Sequence, residues 1–204
     1  GSETPSPLWR ASEGDIRLAA VSASGGSALI DLAPAPGVFV AKRESGMGPL
    51  REWGKASALA LSPDGTLAVL AYPGGATAVF EVLSGERLAH RDWKRGPVTA
   101  VTFVGPDRVA LAASGQVRVW EWRTDHVLPT PIDLPGTITA LAPDPGGCRL
   151  AAAGEGALHL LDVKGGRRLV GLLRGPEVAR CLVWDCDAVV KVHAFGNGER
   201  LLLP

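Results

Sequence analysis

The stretch QVRVWEWRTD, Gln116–Asp125, decides the fold. Residues two apart in a strand share a face. Val117 and Val119 therefore point one way with Glu121, and Trp120 and Trp122 point the other. Apolar side chains on both faces mark a strand held between two neighbouring layers. Large aromatics dominate core burial, so Trp120 reads as core. Trp122 lies nearer the end of the strand. The Thr124-Asp125 pair that follows reads as a turn.

Working outward, the Trp120-Glu121 pair recurs. Phe80-Glu81 in VFEVLSGE precedes it and Leu161-Asp162 in LLDVKGG follows it, each at a distance of about 40 residues. Ile30-Asp31 in ALIDLAPAPG reads as an earlier copy. A second set is in phase with the first: SALALSPDG from Ser57, TAVTFVGPD from Thr99, TALAPDPGG from Thr139 and RCLVWDCDA from Arg180. These starts keep the same spacing throughout. Self-similarity at a fixed period of this size marks a repeat architecture.

The clearest unit, residues 57–93, reads as SALALS, a PDG turn, TLAVLAY, a PGG turn, TAVFEV, an SGE turn and RLAHRDW. Pro presets φ, while Asp and Gly tolerate the reversal, so each break has turn chemistry. Asp64, Asp107 and Asp144 recur at one turn position and read as caps. The 26 glycines and 16 prolines fit many tight turns. LAAAGEGA is Ala-rich, but it is too short and too glycine-punctuated for a helix. Four strands per unit of about 40 residues is the spacing of a propeller blade.

The expectation is an all-β chain: a β-propeller of about five four-stranded blades, irregular or incomplete. Its units span about 15–53, 57–93, 97–135, 137–175 and 177–204, within one domain over 8–204. Residues 1–7, GSETPSP, read as a tag remnant and flexible lead-in. The first unit shows three strands and no clear first one, and the last shows two or three. LWR, Leu8–Arg10, is available as an outer strand for the last unit. Two endings stay open: a small ring closed by sharing strands of both termini, or an open piece of a larger ring completed by another chain.

The SPDG-type turn after the first strand and the VRVWE pattern closing the third resemble the WD-repeat β-propeller family over residues 57–176. The Gly-His dipeptide usual before the first strand is missing. The closing Trp-Asp stands here as Phe-Glu, Trp-Glu and Leu-Asp. The resemblance implies a non-catalytic protein–protein interaction platform, as a scaffold or as the recognition domain of a larger polypeptide or complex. The alternative is a ligand-sensing regulatory domain controlling an attached effector such as a protease, kinase or NTPase. Partners are expected to be proteins, including another domain of the same polypeptide.

Composition narrows the rest. Lys+Arg and Asp+Glu both number 21, where nucleic-acid and polybasic membrane binders show a basic excess. No apolar run approaches the roughly 20 residues of a membrane helix. Three cysteines do not read as a disulfide framework, which favours the cytoplasm. No Walker loop, GxSxG, HExxH or CxxC is present. Cys181 and Cys186 fall on opposite faces of an unbroken strand, a poor geometry for one metal. His90, His126, His159 and His193 are scattered one per unit and read as blade-surface residues. No catalysis, cofactor, metal or small-molecule substrate is expected.

One further repeat is the candidate binding site. Arg51-Glu52-Trp53 and Arg91-Asp92-Trp93 lie one period apart at the exits of two fourth strands. Lys55 follows the first, and Lys94 and Arg95 the second. The resemblance implies that these loops share a face with the second-to-third-strand loops, Tyr72-Pro73-Gly74 among them. Trp and Arg are enriched at interface hot spots. Arg51, Trp53, Lys55, Tyr72, Arg91, Trp93, Lys94 and Arg95 would then line a mouth suited to an acidic, partly apolar protein segment. The competing reading is that Trp53 and Trp93 plug the gaps between adjacent blades.

Overall fold

The computed structural model describes residues 15–33, 37–42, 46–94, 96–129, 131–155, 157–174, 181–185, 189–193 and 199–202. Leu8–Arg10 and Arg95 lie outside these residues. The described residues form five antiparallel sheets in chain order and contain no helix. The first holds β1 (Asp15–Val21), β2 (Ser27–Ala33), β3 (Val38–Lys42) and β4 (Gly46–Arg51). The second holds β5 (Ala58–Leu61), β6 (Leu67–Ala71), β7 (Ala76–Glu81) and β8 (Arg87–Asp92). The third holds β9 (Val98–Phe103), β10 (Arg108–Ala113), β11 (Gln116–Glu121), β12 (His126–Val127) and β13 (Ile132–Asp133). The fourth holds β14 (Ala140–Pro143), β15 (Arg149–Gly154), β16 (Ala157–Asp162) and β17 (Arg167–Arg174). The fifth holds β18 (Cys181–Asp185), β19 (Val189–His193) and β20 (Glu199–Leu202).

The sheets succeed one another like blades: β1 packs on β5, β5 on β9, β9 on β14 and β14 on β18. The first strand of each unit is therefore the inner one. The third sheet has a divided outer edge, with β12 and β13 both paired to β11. Pro129 and Pro131 stand between them, and proline cannot donate to a ladder.

Two readings of the first unit change. DIRLAAV is its first strand, with SALIDLA second, VFVAK third and GMGPLR fourth. The Ile30-Asp31 pair therefore sits on a second strand and is no copy of Phe80-Glu81, which closes a third strand. Turn geometry sets the true phase. Ser22 donates its N–H to Ser27 O, as Ser62 does to Leu67 O. The last unit contributes three described strands.

Three apolar seams hold the first four sheets together. Leu29, Val38, Val40, Trp53, Leu61, Leu70 and Phe80 fill the first. Val69, Val79, Trp93, Val101, Phe103, Val109, Trp120 and Trp122 fill the second. Val117, Val119, Ile132, Leu134, Ile138, Leu150 and Leu161 fill the third. The third sheet shows the two-faced pattern of Gln116–Asp125. The cross-strand row Phe103, Val109, Trp120, Val127 faces the second sheet, and the row Ala100, Ala112, Val117, Ile132 faces the fourth. The Ala-rich run is β15, where Ala151, Ala152 and Ala153 are buried between layers.

Candidate functional site

The Arg-acid-Trp repeat is built into the seams. At the end of β4, Arg51 donates to the next sheet's turn: Nη2 to Leu83 O at 2.5 Å and to Val82 O at 3.4 Å, and Nη1 to Ser84 O at 3.4 Å. Two residues on, Trp53 is buried and stacks on Phe80, with ring centroids 4.6 Å apart. Its Nε1–H donates to Gly85 O at 3.2 Å. The second copy repeats the arrangement. Arg91 Nη1 donates to Asp125 O at 3.0 Å and Asp125 Oδ1 at 2.6 Å. Trp93 is buried edge-on against Trp120, with centroids 6.1 Å apart, and its Nε1–H donates to Thr77 Oγ1 at 3.2 Å.

Each copy is thus a clasp from one sheet to the next. The arginine holds the next third-to-fourth-strand turn, and the tryptophan packs on the aromatic that closes the next third strand. A third copy, Ile132-Asp133-Leu134, was not recognised in the sequence. Leu134 N–H donates to Gly115 O as Trp93 N–H does to Gly75 O, and Leu134 joins Leu161 in the third seam. Its signal is present: an acid and then a large apolar residue at the exit of a fourth strand, one repeat period after Trp93. Without Arg and Trp it did not stand out.

Of the remaining predicted residues, Lys55, Tyr72 and Lys94 lie on a rim made by loops of successive sheets. A Cβ on Gly54 would meet the Tyr72 ring at 3.4 Å, and one on Gly75 would lie 2.6 Å from Gly96 O. A Cβ on Gly96 would meet Ser114 Oγ at 3.7 Å, and one on Gly115 would lie 3.3 Å from Gly136 O. Thr137 N–H then donates to Glu155 Oε1 at 2.8 Å. The fourth-to-first-strand loops and the second-to-third-strand loops therefore share one continuous face. Gly75, at φ +90°, has no room for a side chain beside Gly96.

Tyr72 is half-buried and donates its hydroxyl to Trp53 O at 2.7 Å. Burial pushes its pKa up to about 12, against a small opposing field from Arg87. It stays neutral, with its ring fixed beside Gly54. Lys55 and Lys94 are exposed in the loops that follow Gly54 and Trp93, and among the described residues neither ammonium sits in an ion pair. Lys94 is held in the left-handed region at φ 50° by Asp92 Oδ1, which accepts its N–H at 3.0 Å. Non-glycine residues adopt that region only where a local bond or a tight hairpin demands it. Ser114 and Glu155 do so on the same rim, in two-residue hairpin turns.

The opposite face carries the first-to-second-strand and third-to-fourth-strand turns. Asp64 and Asp144 cap these turns, accepting Thr66 N–H at 3.1 Å and Cys148 N–H at 2.7 Å respectively. Asp107 instead pairs with Arg123, whose guanidinium lies 4.3 Å over the Trp122 ring. A cleft of about 450 Å³ opens here between the third and fourth sheets. Arg108 and Glu121 pair in its wall at 2.9 Å, and Cys148 and Lys164 lie on the fourth-sheet side.

His159 departs from its expected surface position. It is buried on β16, on the face shared with Leu161 and toward the third sheet, and among the described residues neither ring nitrogen has a hydrogen-bond partner. Desolvation, reinforced by the Arg168 charge, lowers its pKa.

This geometry is similar to that of two solved structures. Hydrazine synthase of Kuenenia stuttgartiensis superposes with a TM-score of 0.73 at 14% identity, covering 86% of this chain and 54% of that one. The β-propeller domain of Cps50 (Swd1) from Myceliophteria thermophila superposes with a TM-score of 0.72 at 16% identity, covering 89% of this chain and 63% of that one. The chain thus spans between about half and two thirds of these neighbours' lengths. It folds as a β-propeller of about five blades, and at these identities the likeness concerns the fold alone. No protein-family model matches the sequence, and no curated protein does.

Proposed function

We propose that the chain is a WD-repeat-type propeller serving as a non-catalytic platform for protein partners, engaged through the rim of Lys55, Tyr72 and Lys94. One observation carries this reading: an oriented, half-buried tyrosine and two exposed lysines, neither in an ion pair among the described residues, on a face made by loops of successive blades. Such a surface offers an aromatic wall and two point charges to an acidic, partly apolar segment. Trp53, Trp93, Arg51 and Arg91 contribute from beneath, by fixing the loops. The exposed free thiol of Cys148 fits a reducing, cytoplasmic setting.

The test is a quantitative pull-down from the source lysate with wild type and a Lys55→Glu/Lys94→Glu variant. Both residues are exposed, so thermal melting should be unchanged. Loss of a partner captured by wild type, with capture that weakens as salt is raised, is the expected result. Equal capture by the two proteins would overturn the rim as the binding surface.

A further inference from the structure

Leu83, Arg123 and Lys164 occupy one place in the repeat, two residues after Glu81, Glu121 and Asp162 close the third strands. At the first two seams an arginine from a fourth-strand exit grips the turn that carries this residue. Arg51 donates to Leu83 O, and Arg91 donates to Asp125. At the third seam Ile132 stands in the arginine's place, and its side chain carries no donor. The turn of Lys164 is left without that grip. Here the cleft of about 450 Å³ opens between the turns of the third and fourth sheets.

Its third-sheet wall presents a prepared guanidinium. Trp122 is buried, and its indole is tied to Pro106 O at 3.2 Å. Arg123 lies over that ring at 4.3 Å from the centroid, and its Nε donates to Asp107 Oδ1. Asp64 and Asp144 bind N–H groups of their own turns, whereas Asp107 is turned toward Arg123. The indole fixes one face of the guanidinium and Asp107 fixes its Nε edge. Both Nη groups are left without a partner among the described residues. Arg108 is held similarly: its Nε and Nη2 lie 3.0 and 2.9 Å from Glu121 Oε1, which leaves Nη1. On the fourth-sheet wall, Lys164 is exposed and its ammonium sits in no ion pair among the described residues. Its backbone is fixed by Asp162 Oδ1, which accepts the Lys164 N–H at 3.0 Å. The cleft is thus lined by three cations, Arg108, Arg123 and Lys164, against two carboxylates, Asp107 and Glu121.

A planar carboxylate is satisfied by one guanidinium fork on one wall. Donors on two facing walls suit a tetrahedral anion, whose oxygens point to both. Arginine supplies the fork and lysine the point charge. Donors already held in place lose less freedom on binding. We propose that this cleft binds a phosphate monoester, held by the Nη groups of Arg123 and Arg108 on one wall and by the Lys164 ammonium on the other. The group belongs to a small phosphorylated molecule or to a phosphorylated side chain. The cleft lies on the face opposite the rim, so this proposal and the platform reading fail separately.

The test is a titration of the ¹⁵N-labelled chain with inorganic phosphate, capped phosphoserine and acetate at constant ionic strength, followed by amide and arginine Nε–H resonances. Both phosphates should give saturable shifts, with a Kd of roughly 1 mM or below. The shifts should be confined to residues 105–108, 121–124, 146–148 and 164, with the Arg123 Nε–H among the largest. Acetate should give none. Arg123→Lys keeps the charge and loses the fork, and Lys164→Gln removes the facing charge. Each should weaken phosphate binding by roughly fivefold or more at an unchanged melting temperature, since both side chains are exposed. Lys55→Glu/Lys94→Glu should leave it intact. Capped phosphoserine binding at least tenfold more tightly than inorganic phosphate assigns the group to a side chain, and equal affinities assign it to a small molecule. Shifts that do not saturate, that acetate reproduces or that fall on the rim, or unchanged affinity in either cleft variant, would overturn the proposal.

Discussion

The second and third seams solve the same packing problem with different chemistry. Between the second and third sheets, Trp93, Phe103, Trp120 and Trp122 interlock, and the indoles are tethered: Trp120 Nε1–H to Asp125 Oδ1 at 3.0 Å, and Trp122 Nε1–H to Pro106 O at 3.2 Å. Between the third and fourth sheets, aliphatic Leu134, Ile138, Leu150 and Leu161 fill the seam, with no Trp, Tyr or Phe among its described buried residues. Position for position, Leu134 replaces Trp93 and Leu161 replaces Trp120. The difference shows that the blade period fixes where a seam residue must stand, while its chemistry is free. An indole adds a directed hydrogen bond that sets orientation; a leucine adds only area. The smaller seam also leaves the open cleft on the turn face and a buried imidazole, His159, without partners among the described residues.

The largest expected effect comes from removing the tethered aromatic. Trp120→Ala should cost about 3–5 kcal/mol in urea unfolding, since it empties a fully buried site and strands part of Asp125's bonding. Leu161→Ala, at the equivalent position, should cost less, about 2–3 kcal/mol, because an aliphatic wall relaxes more readily. An equal or larger loss for Leu161 would erase the contrast between the seams.

Acid should find the third seam first. His159 has a folded pKa below its unfolded value of 6.5, so the unfolded chain binds the extra proton. Its contribution is fully present above about pH 7 and is lost as pH falls through 6.5 toward the lower folded value. Melting temperature should therefore decline between about pH 7 and 5.5, and His159→Leu should flatten that slope and raise stability by about 1 kcal/mol. An unchanged slope in the variant would remove His159 as the acid-sensitive group. Asp125 acts in a lower window. Hydrogen bonds from Arg91 and Trp120 hold its carboxyl below the usual range, so its contribution is lost only as pH falls below about 4.

The smallest effect belongs to the outer half of the second clasp. Arg91→Ala removes an exposed ion pair with Asp125 and a guanidinium 5.2 Å from the Trp93 ring centroid. Surface pairs of this kind contribute about 0–1 kcal/mol, so melting should fall by no more than a few degrees. A loss comparable to that of Trp120→Ala would mean that the arginine, and not the indole, holds the seam.

Much of the architecture was legible in the residues themselves. The period of about 40 residues, the turn chemistry of Pro63-Asp64-Gly65 and the two-faced pattern of Val117, Val119 and Trp120 are local properties, so strand type and blade size followed from sequence alone. The candidate site residues other than Tyr72 were legible as a repeat but not as a site. Whether Trp53 plugs a seam or lines a mouth depends on Phe80 and Gly85, which belong to the next blade. The phase of the first unit depended on hydrogen bonds of the Ser22 turn, because DIRLAAV carries no SPDG-like sequence to mark it. His159 sits where Ala78 and Arg118 sit in the blades before it, so no periodicity separates buried from exposed there. Period and turns are written within each unit, and the sequence determined them. Which blade each face meets is a relation between units, and only the tertiary structure decided it.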